Sequence, residues 1–514
     1  MSDTNRVRVA VARSSEVAIP ISATVNELTQ LRITGTPNLA SAPQTIVSNE
    51  IRPDREISDL ILTGVEAGGD IGFEQSFGAL DLVTEAALFN NYGGARATPI
   101  VSSTADTVTL GAGEGSAGGW ASDQIVRVED AGAPGIYRIV SVATDVVTLI
   151  GIGGGTPVFN GAGTLTLAGH QVPSGVPVTF ANNIVTFDLT TPALNFTAQP
   201  YNQVIGDWCE IAATGTAFTN AGNQGLARIS NVANLTLSIE EANGGAETAP
   251  EFFVMFGQQI RPGSVSIPGS SLLVERAYTD HENAGVAGRY TRELFVGMAV
   301  NQYGEQLQPA NIATATATLF GLRSHVRAAN VSSELYADTD LAAIPFNADA
   351  GVTTGLLSVG ANQVYNTASG VARIGRGDVD LVSPTETKNL VNELSMNLNN
   401  NLRRRLAVGR FGTASIGLGE LGITGTLNTY FDDVSILNDV LQDGFRTSIN
   451  WALRSGDGRG LLTDLPEVAF SSGAPDVPGK NADVTMAIGF QGLRDPNLGY
   501  SIQKTRFTYL HLSQ

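Results

Sequence analysis

SNEIRPDREISDLILTGVEAGGDIGFEQSFGALDLVTEAAL, residues 48 to 88, carries three local signals in succession. From Glu50 to Asp59, acids and arginines alternate so densely that neither face of a strand can be buried, which predicts an exposed hairpin or loop. Gly68 and Gly69 then read as a turn. After them Ile71, Phe73, Gln75 and Phe77 recur at every second position and put a mostly apolar row on one face of a strand. The period then changes, with Ala79, Leu82, Val83, Ala86 and Ala87 falling on the single stripe of a short amphipathic helix. The unit is a charged hairpin, a strand and a helix.

The same unit recurs downstream. Residues 402 to 443, LRRRLAVGRFGTASIGLGELGITGTLNTYFDDVSILNDVLQD, run through a charged segment, glycines at Gly417, Gly419 and Gly422, and the alternation of Ile423, Gly425 and Leu427. A predicted helix follows, with Ile436, Leu437, Val440 and Leu441 as its stripe and Asp432, Asp433 and Ser435 available to cap its start. A second pair of stretches matches as well: MAVNQYGEQLQPANIATATATLFGLR, ending at Arg323, aligns with EVAFSSGAPDVPGKNADVTMAIGFQGLRD, ending at Asp495. Each is a strand, a Gly/Pro loop and an alternating strand. Two matches in the same order make duplication the simplest account.

SNEIRPDR with AGGDIGFEQSFGALDLVTEAAL, and later NNNLRRRLAVG, LGITGTLNTYFDD and VPGKNADV, resemble the tail tube proteins of long-tailed, non-contractile bacteriophages, in the version that carries the tube domain twice. The resemblance covers most of residues 25–95 and 260–514. It implies a mainly β fold: two duplicated β-sandwich or barrel domains, each with a short α-helix. It also implies a structural virion protein, without a catalytic residue or cofactor, that polymerises into stacked rings around a lumen through which double-stranded DNA passes. The expected partners are further copies of the chain, a tape-measure protein, a tail terminator and distal tail proteins. The expected location is the virion tail, assembled in the host bacterial cytoplasm.

Composition agrees with this class. At 514 residues more than one domain is expected, and 58 glycines with only 15% charged residues suit short strands and many turns. The formal charge is −19, which opposes a tight grip on phosphate backbones. Met1–Ala10 is polar, with no apolar core of signal-peptide length behind it, and no segment approaches a membrane-spanning run. Cys209, between Trp208 and Glu210, reads as a small buried side chain, and a disulfide within the chain is impossible.

The chain divides by pattern into a first tube domain in two parts (1–94 and 251–335), an insert (95–250), a linker (336–352) and a second tube domain (353–514). Val7–Val11 and Leu31–Ile33 look like strands in the first part, and Ala18–Ala23 like an arm toward a neighbouring subunit. The insert is rich in Gly, Ala, Thr and Asn and has its own repeat: DQIVRVEDAGAPGIYRIVSVATDVVTLIG, from Asp123, parallels GDWCEIAATGTAFTNAGNQGLARISNVANLTLSIE, from Gly206. Arg138 and Arg228 sit at matching places. We read two small β modules in an exposed loop on the outer surface, with Trp120 and Trp208 in module cores rather than on glycan-stacking platforms. Ser271–Ala277, Thr291–Val300, Asn311–Leu319, Leu394–Leu398, Arg446–Leu453 and Thr485–Phe490 are predicted strands.

Catalytic and metal signals are weak. His170, His281, His325 and His511 are scattered without partners at ligand spacing. Gly153, Gly154 and Gly155 lack the Lys-Ser/Thr and helix of a phosphate loop and read as a hairpin turn. The acid pairs Asp338/Asp340, Asp378/Asp380 and Asp432/Asp433 read as turn and cap residues rather than glycosidase carboxylates. An enzyme on a β-helix would need a short coil repeat, where this chain has a long-range duplication.

If a ring holds six tube domains and each chain supplies two, three chains complete it, as the resemblance also implies. Such a ring carries three times −19, a formal charge of −57, and any share facing the lumen repels DNA. The charged segments, Glu50, Arg52, Asp54, Arg55 and Glu56 in the first domain and Arg403, Arg404, Arg405 and Arg410 in the second, are expected to meet across stacked rings and set register. The alternative class is a phage fibre or surface adhesin that binds host glycans through residues 95–250.

Overall fold

The computed structural model describes residues 7–14, 28–35, 37–51, 56–57, 59–93, 96–130, 132–190, 194–233, 235–240, 244–263, 271–282, 290–327, 356–357, 363–376, 379–382, 391–409, 412–431, 446–477 and 479–511. The protein is mainly β. Its central sheet comprises β1 (Asn38–Val47), β2 (Leu60–Glu74), β3 (Tyr290–Leu307), β4 (Thr314–Gly321), β5 (Val391–Asn399), β6 (Gly422–Tyr430), β7 (Gly460–Asp476) and β8 (Thr485–Leu493). Antiparallel pairing sets them side by side as β1-β2-β4-β3-β5-β6-β8-β7. The order of the first quartet, β1-β2-β4-β3, is repeated by the second, β5-β6-β8-β7.

The two quartets also share a defect and a frame. β3 shifts register against β4 between Val300 and Gln302, and β7 shifts against β8 between Phe470 and Ser472. The first half of β3 lies between Ser271–Glu282 and Arg323–Arg327; the first half of β7 lies between Arg446–Arg454 and Gln503–Phe507. Beyond these, Val7–Ser14 pairs with Ser271–Glu282 and Val371–Arg376 with Arg446–Arg454.

Alternation in the sequence explains the layers. In NIATATATL, Ala315, Ala317 and Leu319 turn inward and are buried, as are Ile71 and Phe73 from β2 and Ile488 and Phe490 from β8. Helix α1 (Asp81–Leu88) packs Val83, Ala86, Ala87 and Leu88 onto the same core, and Phe89 ends it in the left-handed conformation, φ 51°. One continuous core spans both quartets, from Phe73 and Tyr303 to Trp451 and Phe490.

Two sequence expectations are corrected here. Gly68 and Gly69 make no turn: they lie inside β2, which runs unbroken for 15 residues and ends at Glu74, so Phe77 is outside the strand. The glycines answer a steric demand instead. Gly69 has φ +146°, and a Cβ there would lie 1.8 Å from the Asn38 carbonyl oxygen; a Cβ on Gly68 would lie 2.7 Å from that of Leu319. β2 is thus gripped by β1 on one side and β4 on the other. Ala18–Ala23, the expected linker and the second expected helix lie outside the described residues.

The insert starts with a closed barrel in which Ala97–Ala105, Thr107–Leu110, Val146–Gly151, Gly135–Ala143, Gln124–Asp130 and Gly163–Val172 pair in that cyclic order. A second group, Pro177–Ala181, Ile184–Asp188, Thr236–Glu240, Gly225–Ala233, Trp208–Ala213 and Phe252–Ile260, pairs in the same order without closing. Arg138 and Arg228 fall at equivalent rungs, opposite Ile125 and Trp208.

The second group is not a free appendage. Phe252–Ile260 runs on to pair with Gln503–Phe507 beside β7, and Trp208 and Leu226 join a cluster with Ala452, Leu462 and Phe507. Trp208 is therefore buried at a junction rather than in a module core, with the guanidiniums of Arg228 and Arg373 both against its ring, while Trp120 is buried in the core of the insert. Neither indole is a surface platform. Cys209 is fully buried, and burial pushes its thiol far up.

Gly69→Ala is expected to cost more than about 3 kcal/mol, because the new methyl must displace strand backbone. Gly153→Ala, with open space around it, is the control, and chemical denaturation of the two variants measures the difference.

Candidate functional site: an open sheet face and two open edges

With Ile71, Phe73, Ala315, Tyr303, Leu394, Met396, Leu427 and Ile488 turned into the core, period 2 sends the alternate residues to the opposite face of the central sheet. Cross-strand register assigns them row by row. Asn38 faces Asp70, Asp70 faces Thr318, Thr318 faces Gln302 and Gln302 faces Asn399; farther along, Thr424 faces Gln491 and Asp476 faces Thr485. Most of the rest of this face is of the same kind: Ala40, Gly72, Thr316, Gly304, Gln306, Ser395, Asn397, Thr426, Asn428, Ala487, Ser472 and Ala474; Phe320, opposite Gly68, and Tyr430, opposite Thr485, are its large side chains.

The face is therefore mostly small and polar. Its charges are carboxylates: Glu66, Asp70, Glu74, Glu393 and Asp476, and among the described residues in these rows there is no lysine or arginine. Hydrogen bonds hold two of the acids to the wall: the Thr318 hydroxyl donates to Asp70 Oδ1 at 2.6 Å, and Gln306 and Gln308 donate to Glu393 Oε1 at 2.8 and 3.3 Å.

Behind the face, at the join of the quartets, an ion pair is buried. Lys504 Nζ donates to Glu305 Oε1, Tyr303 Oη donates to the same oxygen at 2.9 Å, and Thr463 Oγ1 donates to Glu305 Oε2 at 3.3 Å. Both charged side chains are 2% exposed. Burial and the Glu305 carboxylate push the Tyr303 phenol far up, so it stays a donor. Nearby, burial pushes the Arg506 guanidinium down to about 10. Thr463, on β7, and Lys504, on the frame strand beside it, belong to the second half of the sheet and Tyr303 and Glu305, on β3, to the first, so the network locks the two together.

Among the described residues, β1 pairs only with β2, and the far part of β7, Ser471–Asp476, only with β8, which leaves both ends of the sheet open. A family model described as a phage tail tube protein matches residues 4–492, nearly the whole chain. The chain belongs to this family. No curated protein matches it. A tail tube protein is a structural component of the phage tail that self-assembles into a tube, and open strand edges are what such assembly requires.

Of the expected assembly residues, Glu50, Glu56, Arg403, Arg404 and Arg405 are among those described. Glu50 and Glu56 are exposed at the tip of the β1–β2 hairpin; Arg52, Asp54, Arg55 and Arg410 lie outside the described residues. Arg403, Arg404 and Arg405 form one strand of a two-stranded hairpin, Arg403–Leu406 with Thr413–Gly417. Arg403 and Arg405 are exposed there. Arg404 is engaged within its own chain: it pairs with Glu66 Oε2 at 2.6 Å, donates to the Ala67 carbonyl and stacks over Phe320. Reading charge alone missed the apolar character of these tips. Ile46, Ile51, Ile57, Leu60, Ile61 and Leu62 are exposed on the first, and Leu406 and Val408 on the second. The runs ILTG and EISDLIL carried that signal, because they extend the apolar alternation past the point where a core can receive it.

Of the histidines, His170 is buried against the Tyr201 hydroxyl at 2.7 Å and pushed down to about 4 by burial, so it is neutral and structural. No group of metal-ligating side chains occurs among the described residues.

Lys504→Met leaves Glu305 buried without its cation and is expected to cost about 3–5 kcal/mol. Removing both charges, Lys504→Met with Glu305→Leu, restores most of this, and denaturation midpoints of the two variants decide it.

Proposed function

We propose that three chains close into a ring in which the open face of the central sheet lines the lumen, and that rings stack into the tube of a long, non-contractile tail. The chain carries the tube unit twice, so each ring presents six quartets and, from eight strands per chain, twenty-four strands to the lumen. The observation that supports this most directly is the repeated quartet with an open edge at each end, which turns a threefold ring into a near-sixfold barrel. Insert modules project from the other side, where the frame strands lie.

The lumen's chemistry suits passage of DNA. Small Thr, Asn, Gln and Ser side chains offer neutral hydrogen-bonding groups that exchange with water, and the few carboxylates repel phosphates. Among the described residues the cation that reaches this face, Arg404, is paired with Glu66, which leaves little free positive charge to hold a phosphate. Rings stack through the two tips, where Glu50, Arg52, Asp54, Arg55 and Glu56 of one layer and Arg403, Arg405 and Arg410 of the next set register, and the exposed isoleucines and leucines supply buried area. A tape-measure protein occupies the lumen before DNA does, a terminator and distal tail proteins close the ends, and assembly takes place in the host bacterial cytoplasm.

Electron microscopy of the purified protein at stepwise increasing concentration tests this. Hollow stacked rings with threefold outer knobs are expected; discrete elongated trimers without a lumen would overturn the reading. Placing cations on the face, Thr316→Arg with Thr424→Arg, is expected to leave tubes intact and to slow genome ejection about tenfold at low salt, with recovery as salt rises. Ejection followed by DNA-dye fluorescence reads both effects.

A further inference from the structure

The join between the two quartets is a template for the join between chains. Inside the chain β3 meets β5, with Gln302 opposite Asn399, Gly304 opposite Asn397 and Gln306 opposite Ser395. β7 occupies the place of β3 in the second quartet, and β1 the place of β5 in the first. The matching register shifts align Gln302 with Ser472, and hence Gly304 with Ala474 and Gln306 with Asp476. On the other partner, Gly321 lies opposite Ala67 and Gly492 opposite Ile423, which aligns Glu66 with Gly422. Ala42, opposite Glu66, therefore stands where Asn399, opposite Gly422, stands in β5.

Resting on the ring reading above, we infer that β7 of one chain pairs antiparallel with β1 of the next in a single register: Ser472 opposite Ala42, Ala474 opposite Ala40, and Asp476 opposite Asn38. Each of these six side chains is exposed in the single chain. All are small, so the strands can approach without repacking, and Asp476 meets an amide with which it can hydrogen-bond. Pro43 and Pro475 donate no main-chain N–H, which blunts the two edges against chance pairing in the single chain.

The seam between chains is also weaker than its internal template. On the core side the internal join carries Tyr303, Glu305 and Leu307 against Leu394, Met396 and Leu398, all buried. The seam has Gly473 and Pro475 against Ser41 and Leu39 in those places. It thus relies on main-chain pairing, with little apolar burial of its own, so single chains persist until a ring closes all its seams together.

Cysteines at the paired positions, Ala40→Cys with Ala474→Cys, test the register, since directly opposite Cβ atoms lie about 4.5–5.5 Å apart. The native Cys209, fully buried, stays silent. Mild oxidation of assembled protein is expected to give a covalent trimer, closed at three links and reversible by reductant, with nothing larger. Ala40→Cys with Ser472→Cys, one rung pair off register, is expected to give at least tenfold less. In wild-type protein, amide exchange within 38–43 and 471–476 is expected to slow on assembly. Rings visible by microscopy without cross-linked trimers and without this protection would overturn the seam alone. Wild-type protein that forms no rings at any concentration would overturn the ring reading and the seam with it.

Discussion

The pairing of β3 with β5 is the constraint on which the rest of the structure depends. It joins residues 302–307 to residues 394–399 across a long stretch of chain, and it makes one sheet and one core out of two quartets. Main-chain pairing alone would leave that join free to slip by two residues. Tyr303, Glu305, Thr463 and Lys504 prevent it, because a buried carboxylate tolerates only the register that brings its ammonium and hydroxyl donors within reach. Such an ion pair adds little net stability, but the cost of breaking it is high, and this asymmetry makes it a register pin.

A consequence is that the single chain is both complete and unfinished. Its apolar face is covered, yet among the described residues its two outermost strands each keep an unpaired side. Open edges invite indiscriminate pairing, and here they are moderated by prolines and by side chains too small to stabilise a chance contact. The insert adds rigidity where the edges do not need it: Phe252–Ile260 extends the frame of the second quartet and leaves the opposite face of the sheet bare.

Much of this was legible from residues 48–88 and their echo at 402–443, because alternation fixes which residues share a face, and the second quartet repeats the strand order of the first. NIATATATL announced a strand with a small polar face. The Gly68–Gly69 pair misled, since glycine marks a turn and a crowded strand equally well, and only the carbonyls of Asn38 and Leu319 distinguish them. The insert's internal repeat was visible through Arg138 and Arg228, but its docking was not. That depends on Arg228 meeting Asp464 and Trp208 meeting Phe507, contacts between residues far apart in sequence whose types carry no local signature. The exposed tips were read for charge and not for their isoleucines, because a short apolar run next to acids resembles the end of an ordinary buried strand.

The distribution of cations connects fold and function. The formal charge of −19 does not by itself make one face of the sheet negative; what matters is where the basic residues go. Many are spent as internal locks: Arg8 with Glu275, Arg276 with Glu293, Arg228 with Asp464 and Arg127 with Asp457, together with Arg459 and Glu129, Arg404 and Glu66, and Lys504 and Glu305. Nearly all of these sit in the frame, in the insert junction or behind the sheet. Guanidiniums suit such places because their planar donors satisfy several acceptors at once, as Arg127 does with Asp457 and the Thr508 carbonyl. Holding the fold together with arginines therefore also keeps most of them off the sheet's open face, where Arg404 is paired with Glu66 and the surface is mostly threonines, amides and a few carboxylates.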